Sequence, residues 1–281
     1  MSIIISTESA VVVPAEYREK YGVSVLPLHI IYGEESFEDG VNITGADILE
    51  RYEKNKELPT TSACSIGEYT DYFASLTADG GEVVHFAMSS GISSTYRNAC
   101  IAAESFGGVR VVDTLNITAG AGLLVIRACE MAENGFTAKE IVRRAEEMKE
   151  KVRTSFIIDT LEFLRKGGRC SSLAALGANV LGIKPSVEVR DGKMQTAKKF
   201  RGKYPACVLK YVASCFEGAG EIDGARVFIE HAPGVSPDLV EEIRREIRRF
   251  CRFDEALEVD TTPTIICHCG PGTVGVQFME K

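Results

Sequence analysis

Two short stretches concentrate hydroxyl side chains ahead of helix-like segments. They are Thr60-Thr61-Ser62-Ala63-Cys64-Ser65 and Ser89-Ser90-Gly91-Ile92-Ser93-Ser94-Thr95. Hydroxyls and free backbone N–H groups at a helix N-terminus form a neutral anion site. The helix dipole makes such a place suit a carboxylate or a phosphate. Ordinary N-capping uses the same residue types. A cap needs one hydroxyl, however, and each stretch offers several. In an open parallel sheet two such turns would lie together at the carboxyl ends of the strands, where ligands bind.

Other motifs point less sharply. Cys267-His268-Cys269 invites a metal reading. Residues 264–268 read as a strand, whose alternation sends His268 away from both cysteines, and no C-x-x-C supplies further ligands. His268, beside Gly270-Pro271-Gly272, either reaches a ligand from the strand end or is satisfied by its own backbone neighbours. Residues 270–275 spell G-x-G-x-x-G, but the six residues that follow leave no room for a βαβ unit. A P-loop, an H-E-x-x-H and a G-x-S-x-G are absent from the sequence. Arg244, Arg245, Arg248, Arg249 and Arg252 form a basic stripe, read as a solvated helix face or a docking surface for an acidic partner. Lys166-Gly167-Gly168-Arg169 and Lys198-Lys199-Phe200-Arg201-Gly202 are basic, glycine-bearing loops.

The elements that would position these residues follow from periodicity. Strands are expected at 3–6, 83–88 and 109–113, with a β-rich run at 23–32 around Pro27. Helices are expected at 14–21, stopped by Gly22, and at 44–55, 66–76, 95–105 and 118–132. Thr137 and Glu140 form a capping box, and Ile141, Ala145, Met148 and Val152 share one stripe beyond it. Alternation of strand, loop and helix predicts a parallel sheet covered by helices. The pattern changes near 153, so the expected domains are 1–153, α/β with a parallel sheet, and 154–281, α+β. In the second, Asp191-Gly192 turns a hairpin. A strand follows at 227–231, then a helix at 238–253 with Leu239, Ile243, Ile247 and Phe250 inward.

The chain has 281 residues, 45% hydrophobic and 26% charged, as in ordinary globular proteins. Its apolar runs are far shorter than the ~20 residues a membrane span needs. The start, MSIIISTESA, lacks the basic and long apolar regions of a signal peptide, which leads to an expectation of a cytoplasmic protein. Forty acidic against 32 basic residues give a net charge of -8, unsuited to nucleic acid. Nine irregularly spaced cysteines fit reduced, apolar fillers.

At these same residues the sequence resembles the DegV family of bacterial lipid-binding proteins, essentially end to end. The resemblance is carried by Tyr21-Gly22 through Pro27, Asp39-Gly40-Val41, Pro59 to Ser62 with Ser65, and Ser89 to Ser93 with Thr95-Tyr96. It continues through Asp159-Thr160-Leu161, Arg165 to Arg169, Ile183-Lys184-Pro185, Asp191-Gly192-Lys193, Arg201-Gly202 and His268 with Gly270-Pro271-Gly272. It implies a two-domain fold enclosing one long-chain fatty acid, C16–C18 and palmitate-like, with no other cofactor and no metal. The carboxylate would meet Thr61 and Ser93, with Ser62 and Ser94 beside them. Arg201, His268 and Gly270 would lie near the head group or the site of phosphotransfer. A partner ATP-binding kinase subunit would convert the acid to acyl-phosphate for phospholipid synthesis, so this chain would itself be non-catalytic. Transient membrane contact fits such a role. The chain departs from the family pattern at Ala63-Cys64, where Gln-Pro is usual, at Ser94, where Gly is usual, and at Glu8-Ser9-Ala10, where Asp-Ser-Thr is usual. Two other functions stand beside this one. One is an acyl hydrolase or transferase with Ser93 or Cys64 as nucleophile and His268 as base. The other is a lipid-filled regulatory scaffold that uses the arginine stripe.

Overall fold

The computed structural model describes residues 2–168 and 182–281. The chain opens with β1 (Ile3–Glu8), α1 (Ala15–Tyr21) and β2 (Ser24–Leu26). Gly22 ends α1 in the left-handed region, φ 63°, where glycine carries no Cβ penalty. A small antiparallel sheet follows, ordered β4-β3-β5, from β3 (His29–Tyr32), β4 (Glu35–Glu38) and β5 (Thr60–Ser62), with α2 (Gly45–Asn55) between the last two. Then come α3 (Ile66–Thr77), β6 (Glu82–Ala87), α4 (Thr95–Ala103), β7 (Val109–Asp113), α5 (Thr118–Glu133) and α6 (Ala138–Met148). The all-parallel sheet runs β2-β1-β6-β7. All but the first residue of β6 is buried, as expected of a strand covered on both faces.

The later residues build a six-stranded mixed sheet. Its strands are β8 (Val152–Ile157), β9 (Ile183–Arg190), β10 (Lys193–Arg201), β11 (Ile222–His231), β12 (Glu255–Asp260) and β13 (Val274–Glu280), ordered β10-β9-β8-β13-β11-β12. Only β11 and β12 pair in parallel. Among the described residues, four helices complete this part: α7 (Glu162–Lys166), α8 (Tyr204–Cys215), α9 (Pro237–Ile247) and α10 (Pro263–Cys269). Asp191 and Gly192 both take positive φ, 50° and 73°, as the two-residue turn between β9 and β10 requires.

The buried helix α5 packs against strands of both large sheets. Two glycines permit this. A Cβ at Gly122 would overlap the Val12 carbonyl oxygen, and one at Gly120 would overlap Thr154 Oγ1. One apolar cluster therefore runs through both sheets. The small sheet and α2 are held in turn by α10, where Ile266 and Cys267 join Ile30, Ile43 and Ile48.

Three expectations change. Residues 263–269 form a helix rather than a strand, begun by Thr262 and Pro263. Proline at the first helical turn is a start signal that outweighs the short apolar run. The helix expected at 238–253 stops at Ile247, so Arg248, Arg249 and Arg252 lie beyond it, and Phe250 is exposed, stacked on Phe216 at 5.1 Å. The stripe on α6 ends at Met148, and Val152 begins β8 instead.

Candidate functional site

The two hydroxyl stretches meet although they come from different sheets. Thr60–Ser62 is β5, an edge of the small sheet, while the stretch from Ser89 leaves the carboxyl end of β6. Thr61, Ser62, Ala63 and residues 90–94 line one shallow basin of about 580 Å³, open to solvent. Ordinary capping is done elsewhere. Ser65 caps α3 in a capping box with Glu68. Ser94, at the start of α4, makes no side-chain cap, and Ser93 Oγ accepts only a long bond of 3.3 Å from the Thr95 amide. Thr61, Ser62 and Ser93 are therefore not consumed by capping a helix in the usual way.

Beneath the basin lies a narrow, mostly apolar slot. Its walls include Leu28, Met88, Ile92, Leu164, Met194 and Ile265, from both halves of the chain. Thr61, Ser62, Ala63, Ile92 and Ser93 line both spaces, so polar basin and apolar slot adjoin. Thr264, His268 and Cys269 complete the slot from α10. His268 Nε2 is 2.8 Å from Thr61 Oγ1, a bond between residues 207 positions apart. As α10 is a helix, successive side chains leave its axis ~100° apart. Cys267 enters the core beside Ile30 and Tyr32, Cys269 faces the slot, and His268 turns to Thr61. Burial pushes both thiols well above their ordinary range. Among the described residues no cluster of His, Cys, Asp or Glu is arranged to hold a metal ion.

The motif residues hold this arrangement in place. Ser89 Oγ donates to the Gly192 carbonyl at 2.6 Å, joining the second stretch to the β9–β10 turn. Gly91 abuts that same carbonyl, and a Cβ there would overlap its oxygen. A Cβ at Gly167 would run into His268 Nδ1 and lie 3.1 Å from Cε1. Lys184 pairs with Asp159 and donates to its carbonyl at 2.9 Å. Asp39 is buried behind the slot wall. It accepts from Ser9 Oγ at 2.8 Å, and burial raises its carboxyl above the usual range. Ser9 Oγ in turn accepts from the amide of Leu28, a wall residue. Asn98 Nδ2 donates to the Cys64 carbonyl at 2.7 Å, tying α4 to the first stretch.

Several candidate residues stand differently. Ser94 lines the basin but not the slot. Gly270 lines neither and serves the turn after α10. Its φ is 75°, and a Cβ there would press into the Phe163 ring. Arg201 ends β10, exposed, and also lines neither space. Cys64 is buried, its Sγ 3.1 Å from the Pro27 carbonyl, and burial pushes its thiol up to about 12. It is therefore protonated and unsuited to attack. Arg244 lies over β12, donating to the Ala256 carbonyl and to Glu258, each at 2.7 Å. Arg169 falls outside the described residues. Thr264 and the wall methionines were not found from sequence. Reading 263–269 as a helix would have placed Thr264 one turn from His268 on the same face.

The profile described as an uncharacterised protein of the DegV family matches residues 2–281. The chain belongs to the DegV family. A DegV domain-containing protein of Deinococcus radiodurans is 31% identical over 285 residues, covering 99% of this chain and 98% of that one. A structure described as fatty acid binding of a DegV family protein from Thermus thermophilus superposes with a TM-score of 0.88 at 28% identity, over 100% of both chains. A stearic acid-binding protein from Eubacterium ventriosum gives a TM-score of 0.86 at 25% identity, over 100% of this DegV chain and 99% of its own.

Proposed function

We propose that this chain binds one long-chain fatty acid, C16–C18, with its carboxylate in the basin and its tail in the slot. The observation that carries this reading is that Thr61 and Ser93 line both the polar basin and the apolar slot. The names of the Thermus and Eubacterium neighbours support it. The physical case is direct. Enclosing ~14 methylenes at ~0.8 kcal/mol each gives roughly 11 kcal/mol of gross driving force, less several kcal/mol for association. The head group then needs its hydrogen bonds replaced, since a buried, unpartnered carboxylate is costly. Thr61 and Ser93 hydroxyls supply donors, and bonds to a charged acceptor are the strong kind.

The slot as it stands holds about 60 Å³ of open space. At ~10–15 Å³ per water-sized position, that is roughly four to six such positions. A long chain therefore enters as wall side chains swing aside. Met88 and Met194, unbranched and adaptable, suit that role.

In this proposal the chain is a cytoplasmic, non-catalytic carrier of two domains, 1–153 and 154–281. It presents the acid to a partner kinase, which makes acyl-phosphate for phospholipid synthesis. Thr61, Ser62, Ser93 and Ser94 form the carboxylate site with His268 behind Thr61. Arg201 is assigned no contact with the carboxylate. Among the described residues no helix is long and apolar enough to cross a membrane.

Native mass spectrometry of the purified protein, followed by denaturation and lipid analysis, tests the central claim. A stoichiometric mass shift matching a C16–C18 acid supports it. A clean protein mass with no uptake of added palmitate overturns it. Adding an ATP-binding kinase subunit with ATP to the loaded protein, and trapping acyl-phosphate with hydroxylamine, tests the transfer step.

A further inference from the structure

Glu8 lies at the carboxyl end of β1, fully buried, away from both the basin and the slot. Its carboxylate is nonetheless extensively bonded. Oε1 accepts from the Met88 amide at 2.9 Å. Oε2 accepts from the Tyr69 hydroxyl at 3.0 Å and lies 3.2 Å from His85 Nε2. His85 is fixed in turn by Ser6 Oγ, 3.0 Å from Nδ1, and by the rings of Tyr69 and Phe73 at 5.5 and 5.4 Å. Burial, and then the Glu8 charge, drives the Tyr69 hydroxyl far above its ordinary pKa, so it remains a donor.

The position of Met88 gives this network its meaning. The ladder between β1 and β6 runs from Ile3–Glu82 to Thr7–Phe86, and beyond it Ser9 N bonds the Leu26 carbonyl of β2, on the other side of β1. The Met88 amide is left just past the end of the ladder, and the Glu8 side chain replaces the missing backbone acceptor. An unpaired buried N–H would be costly. Met88 is also a wall of the slot, and the residue after it starts the second hydroxyl stretch.

We infer that Glu8 is a positioning residue, which fixes where β6 ends and thereby sets Ser93 against Thr61 at the head-group site. The inference rests on the fatty-acid reading and extends it to the origin of carboxylate recognition. Glu8 touches neither basin nor slot, so its effect falls on the geometry of the hydroxyl stretch. A ligand with the same tail but no carboxylate feels Glu8 only through the Met88 wall and is then less sensitive to it than the acid.

The test compares binding of palmitic acid and hexadecanol to wild type, Glu8→Ala, Glu8→Asp and Glu8→Gln. Glu8→Gln keeps the Oε1 acceptor for Met88 and is expected to leave acid-over-alcohol selectivity within about threefold of wild type. Glu8→Ala removes the acceptor. Losing well-placed bonds to a charged group predicts a fall in selectivity of about ten- to a hundredfold, with hexadecanol binding falling much less than palmitate binding. Glu8→Asp, one methylene shorter, is expected to fall between the two, and it serves if Glu8→Ala does not fold. Equal loss of both ligands in Glu8→Asp or Glu8→Ala, or unchanged selectivity in both, overturns the positioning role. Collapse of selectivity in Glu8→Gln does so too, by showing that charge and not placement matters. A wild type that takes up neither ligand overturns the fatty-acid reading itself, a result distinct from any change among the variants.

Discussion

Replacing Gly167 by alanine drives a methyl group into the His268 ring. Gly167 has φ -74° and ψ 0°, right-handed values that alanine adopts without strain. On backbone grounds alone alanine would be neutral or better there. The obstacle is tertiary: the new Cβ overlaps Nδ1 and lies 3.1 Å from both Cε1 and the Phe163 carbonyl. The ring must shift by roughly 1 Å to reach ordinary contact, and the 2.8 Å bond to Thr61 does not survive such a shift with its geometry intact. Overpacking costs about 1–3 kcal/mol and the lost bond about 0.5–1.5 kcal/mol. The expected destabilisation is about 2–4 kcal/mol, measured by urea denaturation. Palmitate affinity should fall about tenfold, because Thr61 loses its orienting partner. His268→Ala supplies an internal control. With His268→Ala in place the obstacle is gone, so Gly167→Ala should then cost less than about 1 kcal/mol, a coupling visible in a double-mutant cycle. Equal cost of Gly167→Ala in both backgrounds would refute the argument.

Gly91→Ala should destabilise by a similar 2–4 kcal/mol, since its Cβ overlaps the Gly192 carbonyl and strains the Ser89 bond to it. Thermal unfolding of Gly91→Ala beside the exposed control Gly107→Ala checks this, and equal midpoints would count against it. Burial holds the Glu230 carboxyl up at about 7, against the opposing pull of Thr118, the Ala119 amide, Thr261 and Gln277. The folded state then binds this proton more tightly than the unfolded state, so its contribution is full below pH ~4.5 and is lost as pH rises to about 7. That amounts to about 3 kcal/mol. Glu230→Gln should gain stability relative to wild type across that window, and a constant difference from pH 4.5 to 7.5 would contradict it. Iodoacetamide at pH 8 should modify Cys251 and Cys100, both partly exposed, long before Cys64. Rapid labelling of Cys64, mapped by peptide mass spectrometry, would return the nucleophile reading to contention. Thr61→Val should weaken palmitate binding about tenfold while leaving the unfolding midpoint within about 2 °C, and an unaltered dissociation constant would remove Thr61 from the carboxylate site.

Much of the fold was legible from local pattern. Gly22 stops α1, the capping box of Thr137 starts α6, and Asp191-Gly192 turns its hairpin. Each depends on a few adjacent residues, and sequence records adjacency directly. Both hydroxyl stretches were visible for the same reason. The misreadings share a cause as well. Residues 264–268 and 248–253 are short apolar or mixed runs whose state is set by what packs on them, and periodicity cannot weigh that.

What the sequence could not supply was the meeting of distant parts. Thr61 touches His268 across 207 positions, and Glu8 holds Met88 across 80. Ser89 bonds Gly192 across 103. No spacing rule reaches so far, because these approaches depend on how three sheets pack around α5 and α10. Glycines stand at 91, 120, 122 and 167. The structure gives each the same physical reason, a neighbouring atom where a Cβ would stand. The sequence by itself determined which groups were available for an anion and an alkyl chain. Tertiary structure decided which residues line the basin and the slot: Thr61 and Ser93 line both, while Arg201, Gly270 and Cys64 line neither.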